Sequence, residues 1–397
     1  MSGYRVVFIT RRFWPQWDGA SRTIGNLAAA LVKRGCQASV LTVWEVPRWA
    51  AEIQWRGVSV IRLPYDRQNR RGEIGYLQAL TRWLRGNRDQ YDLVCVSGLR
   101  HDAYAALGAV TSEVPVVLRA ETSGFRGDCL WQLDAKRGRR IKRRTMKAAA
   151  WIGPSPLAHR ELIAAGYPRE RIHYLAHGVT RQPVRDKMTR RAARESLATD
   201  HSMLRLAEET PLAVCVGRLH RSRGLVSLIT AWESILKHRP DARLWFVGNG
   251  PERTSLQQRI DARNLTGQVS LVGQFDEVDT LLAAADLFVL PSSEEDLSIA
   301  LLEAMAAGLP VVACDTLSNR EVVESGQQGL LVPSGDVEAL ATALSRVMDQ
   351  PEWACQLGNE ARNRIEQSFP LGKMVEAYAT LFEGLVGARC PDRECPS

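Results

Sequence analysis

The sequence predicts an α/β protein built as two doubly wound parallel-sheet domains facing each other across an interdomain cleft. Three observations predict this: short apolar runs that read as strands covered on both faces, helical stretches between them, and a restart of the series near mid-chain. At 397 residues the chain is too long for one core and suggests two domains of ordinary size.

In the first half, residues 4–10, 37–43, 92–97, 114–120 and 171–176 are short, rich in Val and Ile, and predict strands. Between the first two, Ile24, Leu27, Ala28, Leu31 and Val32 keep a helical apolar stripe that Gly35 ends. The second half repeats the pattern with strands predicted at 211–219, 242–250, 268–275, 287–292, 311–315 and 329–334. Residues 180–210 are polar, charged and free of strand pattern, so the connection is expected there. The predicted boundaries are 1–185, 186–369 and a final helical segment with tail, 370–397. In such sheets ligands bind beyond the carboxyl ends of the strands.

Composition narrows the function classes. Hydrophobic residues make up 45% and charged residues 24%, as in a soluble globular protein. No apolar run approaches a membrane span, and the opening residues read as a strand rather than a signal peptide. The eight cysteines are scattered, mostly inside apolar runs, which suits reduced thiols in the cytoplasm. Net charge is +8 and unevenly spread. Residues 1–200 carry 35 Lys+Arg against 17 Asp+Glu, while the remainder is net acidic. The densest basic run, KRGRRIKRRTMK at 136–147, suggests with Arg139, Arg140, Lys142, Arg143 and Arg144 a surface for anionic lipid or an acidic acceptor. The alternative is an ordinary solvated helix face. No zinc spacing, RNA-binding aromatic signature or helix-turn-helix pattern accompanies the charge, so nucleic acid is not expected as a partner.

Three motifs bear on chemistry. VGRLHRSRG, 216–224, puts Arg218 and Arg223 after a strand and before a helix, where guanidinium forks and helix N–H groups would cradle a diphosphate. FVGNGPER, 246–253, lacks the third glycine of a dinucleotide fingerprint, so Gly248 and Gly250 serve a tight turn or a ligand other than NAD. In PSSEEDLSIALLEAMAAGLP, Glu295 falls in a loop and Glu303 inside the following helix, with the amides of Leu297, Ser298 and Ile299 expected to face an anion.

Glu295 and Glu303, followed by AMAAGLPVV, resemble the signature of retaining glycosyltransferases of family 4, which have the GT-B architecture of two Rossmann-like domains. VGRLHRSRG, FVGNGPER, FWPQWDGASR (13–22), AHGV (176–179) and SGQQGLLVPSGD (325–336) resemble further landmarks in the family's order. The resemblance implies a hexosyltransferase that takes a sugar from a nucleotide diphosphate donor, UDP- or GDP-linked. The acceptor would be a lipid-linked sugar or a glycan, in cell-surface or exopolysaccharide biosynthesis.

It also implies roles. Glu303 would hold ribose hydroxyls, and Arg218 and Arg223 the diphosphate. Glu295 and the Asp296–Ile299 segment would hold the donor sugar. Gly19, Gly217, Gly248 and Gly250 would line the donor site, with Gly19 letting its loop approach the phosphates. No metal or other cofactor is demanded. The N-terminal domain would bind the acceptor, and 370–386 resembles the segment that crosses back between domains. The enzyme would be cytoplasmic and peripheral at the inner face of the membrane.

The chain departs from the family at four places. Arg223 stands for a lysine, Asp18 for the first glycine of a pair, and Asp296 and Ser298 for loop glycines. Glu121 stands where a catalytic-site histidine is common, with His101 a possible substitute one strand away. Trp14 and Trp17, next to Arg11 and Arg12, suit stacking on an acceptor sugar or core packing. The alternatives are a non-catalytic nucleotide-sugar-binding module of the same fold and a GT-B nucleotide-sugar epimerase. A phosphorylase is disfavoured because no lysine for pyridoxal phosphate stands out.

Overall fold

The computed structural model of the protein describes residues 3–16, 18–66, 72–124, 127–293 and 296–388. It divides into two compact units, Met1–Gly178 with Leu371–Ser397, and Val179–Pro370.

The first unit holds an eight-stranded sheet: β1 Arg5–Ile9, β2 Gln37–Trp44, β3 Glu52–Trp55, β4 Val58–Pro64, β5 Leu93–Ser97, β6 Val116–Arg119, β7 Ala150–Gly153 and β8 Ile172–Tyr174. Their order is β3-β4-β2-β1-β5-β6-β7-β8. All neighbours are parallel except β3, which pairs antiparallel with β4. That hairpin is not evident in the sequence pattern. Arg56 and Gly57 make its two-residue turn with φ of 50° and 81°, the left-handed conformation that such turns need and that arginine rarely adopts. The Arg56 guanidinium lies 4.9 Å from the Trp55 ring centre, covering the turn. Strand β7, in AAAWIGPS, is likewise not evident in the sequence pattern, since alanines on its amino side carry no strand signal.

Alternation along the strands builds a core on each face of this sheet. Val7, Ile9, Val94 and Val96 point one way. Val6, Phe8, Leu93 and Cys95 point the other way, where Tyr378 and Phe382 of helix Leu371–Gly387 complete the packing.

The second unit holds six parallel strands: β9 Leu212–Val216, β10 Arg243–Val247, β11 Val269–Gly273, β12 Leu287–Leu290, β13 Val311–Cys314 and β14 Gly329–Val332. Their order is β11-β10-β9-β12-β13-β14. Each lies inside a predicted strand, and the expectation of two parallel-sheet α/β domains is borne out. Val179 opens this unit: its amide donates to the Phe369 carbonyl at 2.9 Å and it bridges Pro370. The chain therefore enters and leaves the unit at neighbouring points.

The stretch 180–210, expected to contain the connection, is folded into this unit. Asp186 and Thr189 form a capping box that starts helix Lys187–Asp200. Arg185, Arg190 and Arg194 then converge on the Asp286 carboxylate, each through Nη2, at 2.9, 3.1 and 3.0 Å. These tertiary ion pairs give the polar segment its fixed place.

Each sheet has one point where the chain changes direction of growth: between β1 and β5 in the first unit, and between β9 and β12 in the second. In sheets of this kind ligands bind at such a point, beyond the carboxyl ends of the strands.

Candidate functional site

In the second unit, the loops after β9 and β10 are joined backbone to backbone. Gly217 N–H donates to Val247 O at 2.9 Å, Leu219 N–H to Asn249 O at 3.0 Å, and Glu252 N–H to Leu219 O at 3.1 Å. A Cβ at Gly248 would lie 2.0 Å from Gly217 O, and one at Gly250 would lie 2.2 Å from Leu219 O. These glycines are therefore required by the contact of one loop with the other.

This seam displays Arg218 at the surface and Arg223, half-buried, at the end of a 3₁₀ turn Arg221–Arg223. His220 starts that turn by accepting the Ser222 amide on Nδ1 at 3.3 Å. Gly224 follows with φ of 65°, and a Cβ there would lie 2.1 Å from Pro291 O. The arginine loop is thus seated against the residue that follows β12, at the switch point of the sheet.

From Pro291 the chain leads to helix Ile299–Ala306. Leu297, Ser298, Ile299 and Glu303 are all buried. The Leu297 amide donates to Oδ1 of Asp296 at 2.9 Å, so one of the three amides expected to face an anion serves its own neighbour. Glu303 is 7% exposed among Leu301, Leu302, Ala304 and Met305. A carboxylate held this deep needs polar company. Gly308, with φ of 74°, turns the chain out of the helix while Leu309 N–H returns to Ala304 O at 3.1 Å. Glu295 lies outside the described residues.

In the first unit Asp18 has a structural task. Its carboxylate accepts the Ser21 amide at 2.9 Å and its own amide donates to Ser21 Oγ at 2.8 Å, a capping box that starts helix Gly19–Lys33. Arg11, after β1, pairs through both edges of its guanidinium with Glu73 (2.6 and 2.7 Å) and Asp102 (2.6 and 2.8 Å). Trp14 packs half-buried on the core, and its carbonyl accepts from Arg62 at 2.8 Å. Trp17 lies outside the described residues.

Glu121 follows β6. Its amide donates to Asp128 Oδ2 at 2.9 Å, and Asp128 Oδ1 accepts from Arg100 Nε at 2.8 Å. Burial first, then the carboxylates of Asp18 and Asp128, push the Glu121 pKa up to about 8. His101 Nδ1 lies 3.4 Å from Glu73, and its ring stands edge-on to Trp131 at 5.2 Å. The motifs drew no attention to Arg100, Asp128 or Trp131, which only the fold brings beside Glu121 and His101. His177 of AHGV is buried, with Nδ1 3.2 Å from Thr23 Oγ1 and 3.2 Å from Arg119 Nη2. Burial and Arg119 depress its pKa well below the usual value, so the ring is a neutral anchor.

The basic run forms helix Gly138–Thr145. Lys142 donates to Ala165 O, and Arg144 lies 3.7 Å from the Tyr104 ring centre, so these two are engaged within the fold. Arg139, Arg140 and Arg143 are exposed. Among the described residues no helix is long and apolar enough to cross a membrane, and no group of three or more His, Cys, Asp and Glu side chains could hold a metal ion.

Two family models match the chain in succession: "Glycosyl transferase 4-like domain" over residues 18–178 and "Glycosyl transferases group 1" over 198–364. The chain belongs to the group 1, family 4-like glycosyltransferases. This group 1 glycosyltransferase sequence is 31% identical over 239 residues to alpha-D-kanosaminyltransferase of Streptomyces kanamyceticus, covering 59% of this chain and 60% of that protein. It is 29% identical over 186 residues to the lipopolysaccharide core biosynthesis glycosyltransferase LpsE of Rhizobium meliloti (strain 1021), covering 47% and 54%. These matches span only about half to three-fifths of the curated relatives' length. The fold matches sucrose-phosphate synthase from Thermosynechococcus elongatus with a TM-score of 0.77 at 22% identity, over 97% of this chain and 100% of that one. It also matches Anabaena HepE in complex with UDP-glucose, with a TM-score of 0.74 at 19% identity, over 96% and 100%. Both likenesses support the two-domain GT-B fold.

Proposed function

We propose that this chain is a retaining hexosyltransferase that moves a sugar from a UDP- or GDP-linked donor to a lipid-linked or glycan acceptor in cell-surface or exopolysaccharide assembly. One observation carries the reading: the loop bearing Arg218 and Arg223 is seated against the start of the segment that leads to Glu303, at the switch point of the second sheet. Two guanidinium groups, that of Arg223 just before helix Leu225–Leu236, suit a diphosphate, whose negative charge grows as it leaves. The buried Glu303 carboxylate suits a pair of ribose hydroxyls. Glu295 and the 296–299 segment would then hold the donor sugar. The acceptor hydroxyl would attack from the side the diphosphate leaves, with a phosphate oxygen taking its proton. The arginines supply the charge stabilisation, so the proposed reaction needs no metal. HepE, solved with UDP-glucose, supports the choice of donor class.

The exposed Arg139, Arg140 and Arg143 support a peripheral place on an anionic membrane at the cytoplasmic face. Charge reversal of these three should reduce binding to anionic vesicles, and unchanged binding would count against it.

A thermal-shift screen with UDP- and GDP-sugars tests the donor site. A ligand at 100 times its Kd should stabilise the fold by about 2.7 kcal/mol, and Glu303→Ala should weaken the shift. An undiminished shift in that variant would reject the ribose assignment. The Asp296–Leu297 contact favours a second reading, a nucleotide-sugar-binding module without turnover. Release of free nucleotide diphosphate only in the presence of acceptor would exclude it.

A further inference from the structure

Arg223 closes a turn of only three residues, Arg221–Arg223, and a turn that short has little hydrogen bonding of its own to hold it. His220, at its start, supplies what is missing. The Arg223 N–H donates to the His220 carbonyl at 3.0 Å, and the Ser222 N–H donates to Nδ1 of the His220 ring at 3.3 Å. Ser222 Oγ lies 2.9 Å from the same ring nitrogen. The His220 backbone is extended, with φ of −135° and ψ of 147°, as in residues that cap helices.

These contacts fix the state of the ring. An amide N–H can only donate, so Nδ1 offers a lone pair and the neutral imidazole carries its proton on Nε2. The Ser222 hydroxyl then donates to Nδ1 as well. Neutrality matters in this loop: a carboxylate at position 220 would accept the same bonds but would repel an anion drawn to Arg218 and Arg223. Gly224 fastens the other end of the turn, with φ of 65° and no room for a Cβ against Pro291 O. Arg223 is thus set between an imidazole cap and a close backbone contact.

We infer that His220 is a positioning residue for the transfer, acting through Arg223: its cap sets where that guanidinium meets the donor diphosphate. This rests on the diphosphate reading of the loop and deepens it, because the placing of the loop's charge is assigned to one uncharged side chain that touches no reacting atom.

Binding to the full chain tests this without turnover, with affinities for UDP and GDP measured by calorimetry and those for uridine and guanosine by ligand-observed NMR. His220→Ala should weaken binding of the diphosphate by about fivefold or more, the loss expected for a removed cap, and should leave binding of its nucleoside unchanged. His220→Asn, whose amide oxygen caps without adding charge, should restore most of the affinity. In a double-mutant cycle with Arg223→Gln, the loss from His220→Ala should disappear, because the group through which it acts is gone. Equal losses for nucleoside and diphosphate would reduce His220 to general loop stability and overturn the inference. Additive losses in the cycle, or no recovery in His220→Asn, would overturn it too. In each of those outcomes the wild type still binds UDP or GDP. A wild type that binds neither would overturn the donor reading and this inference together, so the two failures are distinguishable.

Discussion

The Glu121 amide donates to Oδ2 of Asp128 at 2.9 Å, which holds these two acidic residues at one corner of the first unit. Burial and the neighbouring carboxylates raise the Glu121 pKa from 4.5 to about 8. A raised folded-state pKa gives stability that is complete below the unfolded value and disappears as pH climbs through the folded one. The urea midpoint should therefore fall between about pH 5 and pH 9. Glu121→Gln should flatten that fall, and equal pH slopes in the two proteins would contradict the assignment.

Glu73 has the opposite sign. Hydrogen bonds from Arg11 and then His101 lower its pKa to about 2. Its contribution is complete above the usual 4.5 and is lost as pH falls toward 2. Arg11→Met should abolish this acid limb and, by leaving Asp102 buried without its cation, destabilise the protein by about 3 kcal/mol in chemical denaturation.

Gly248→Ala should cost about 2 kcal/mol or more, since its methyl would strike the Gly217 carbonyl at 2.0 Å. Gly267→Ala meets nothing within 4 Å and should cost about 1 kcal/mol, from its φ of 94° alone. The first should also weaken a UDP-induced shift and the second should not. Equal melting losses would show that the loop seam is softer than its geometry indicates.

Asp286→Ala removes the common partner of Arg185, Arg190 and Arg194. Arg194 is only 5% exposed, so three cations would be left close together with little water. A loss of about 3 kcal/mol is expected, with amide exchange rising first in helix Lys187–Asp200.

All six strands of the second unit were legible because parallel strands buried on both faces are nearly pure apolar runs. The motif glycines were legible too, but their task in packing one loop on another needed coordinates. The β3–β4 hairpin escaped because its turn is Arg-Gly, held by a cation lying over an indole. Residues 180–210 hold no strand, in keeping with their polar pattern, but their fixed place was not legible because Arg185, Arg190 and Arg194 pair with Asp286, far along the chain. The partners of Arg11 lie 62 and 91 residues away. No local pattern encodes such a separation, and for the same reason Trp131 and Arg100 drew no attention.

Helix Leu371–Gly387 places Phe382 and Tyr378 in the core beside Phe8, while Tyr378 receives a hydrogen bond from the buried Arg119. The unit that begins before Val179 is thus completed by a segment that follows the whole of the second unit. The intervening 192 residues of the second unit, Val179–Pro370, can finish folding while the earlier unit still waits with an apolar groove open to solvent. During synthesis that groove is where a chaperone would be needed.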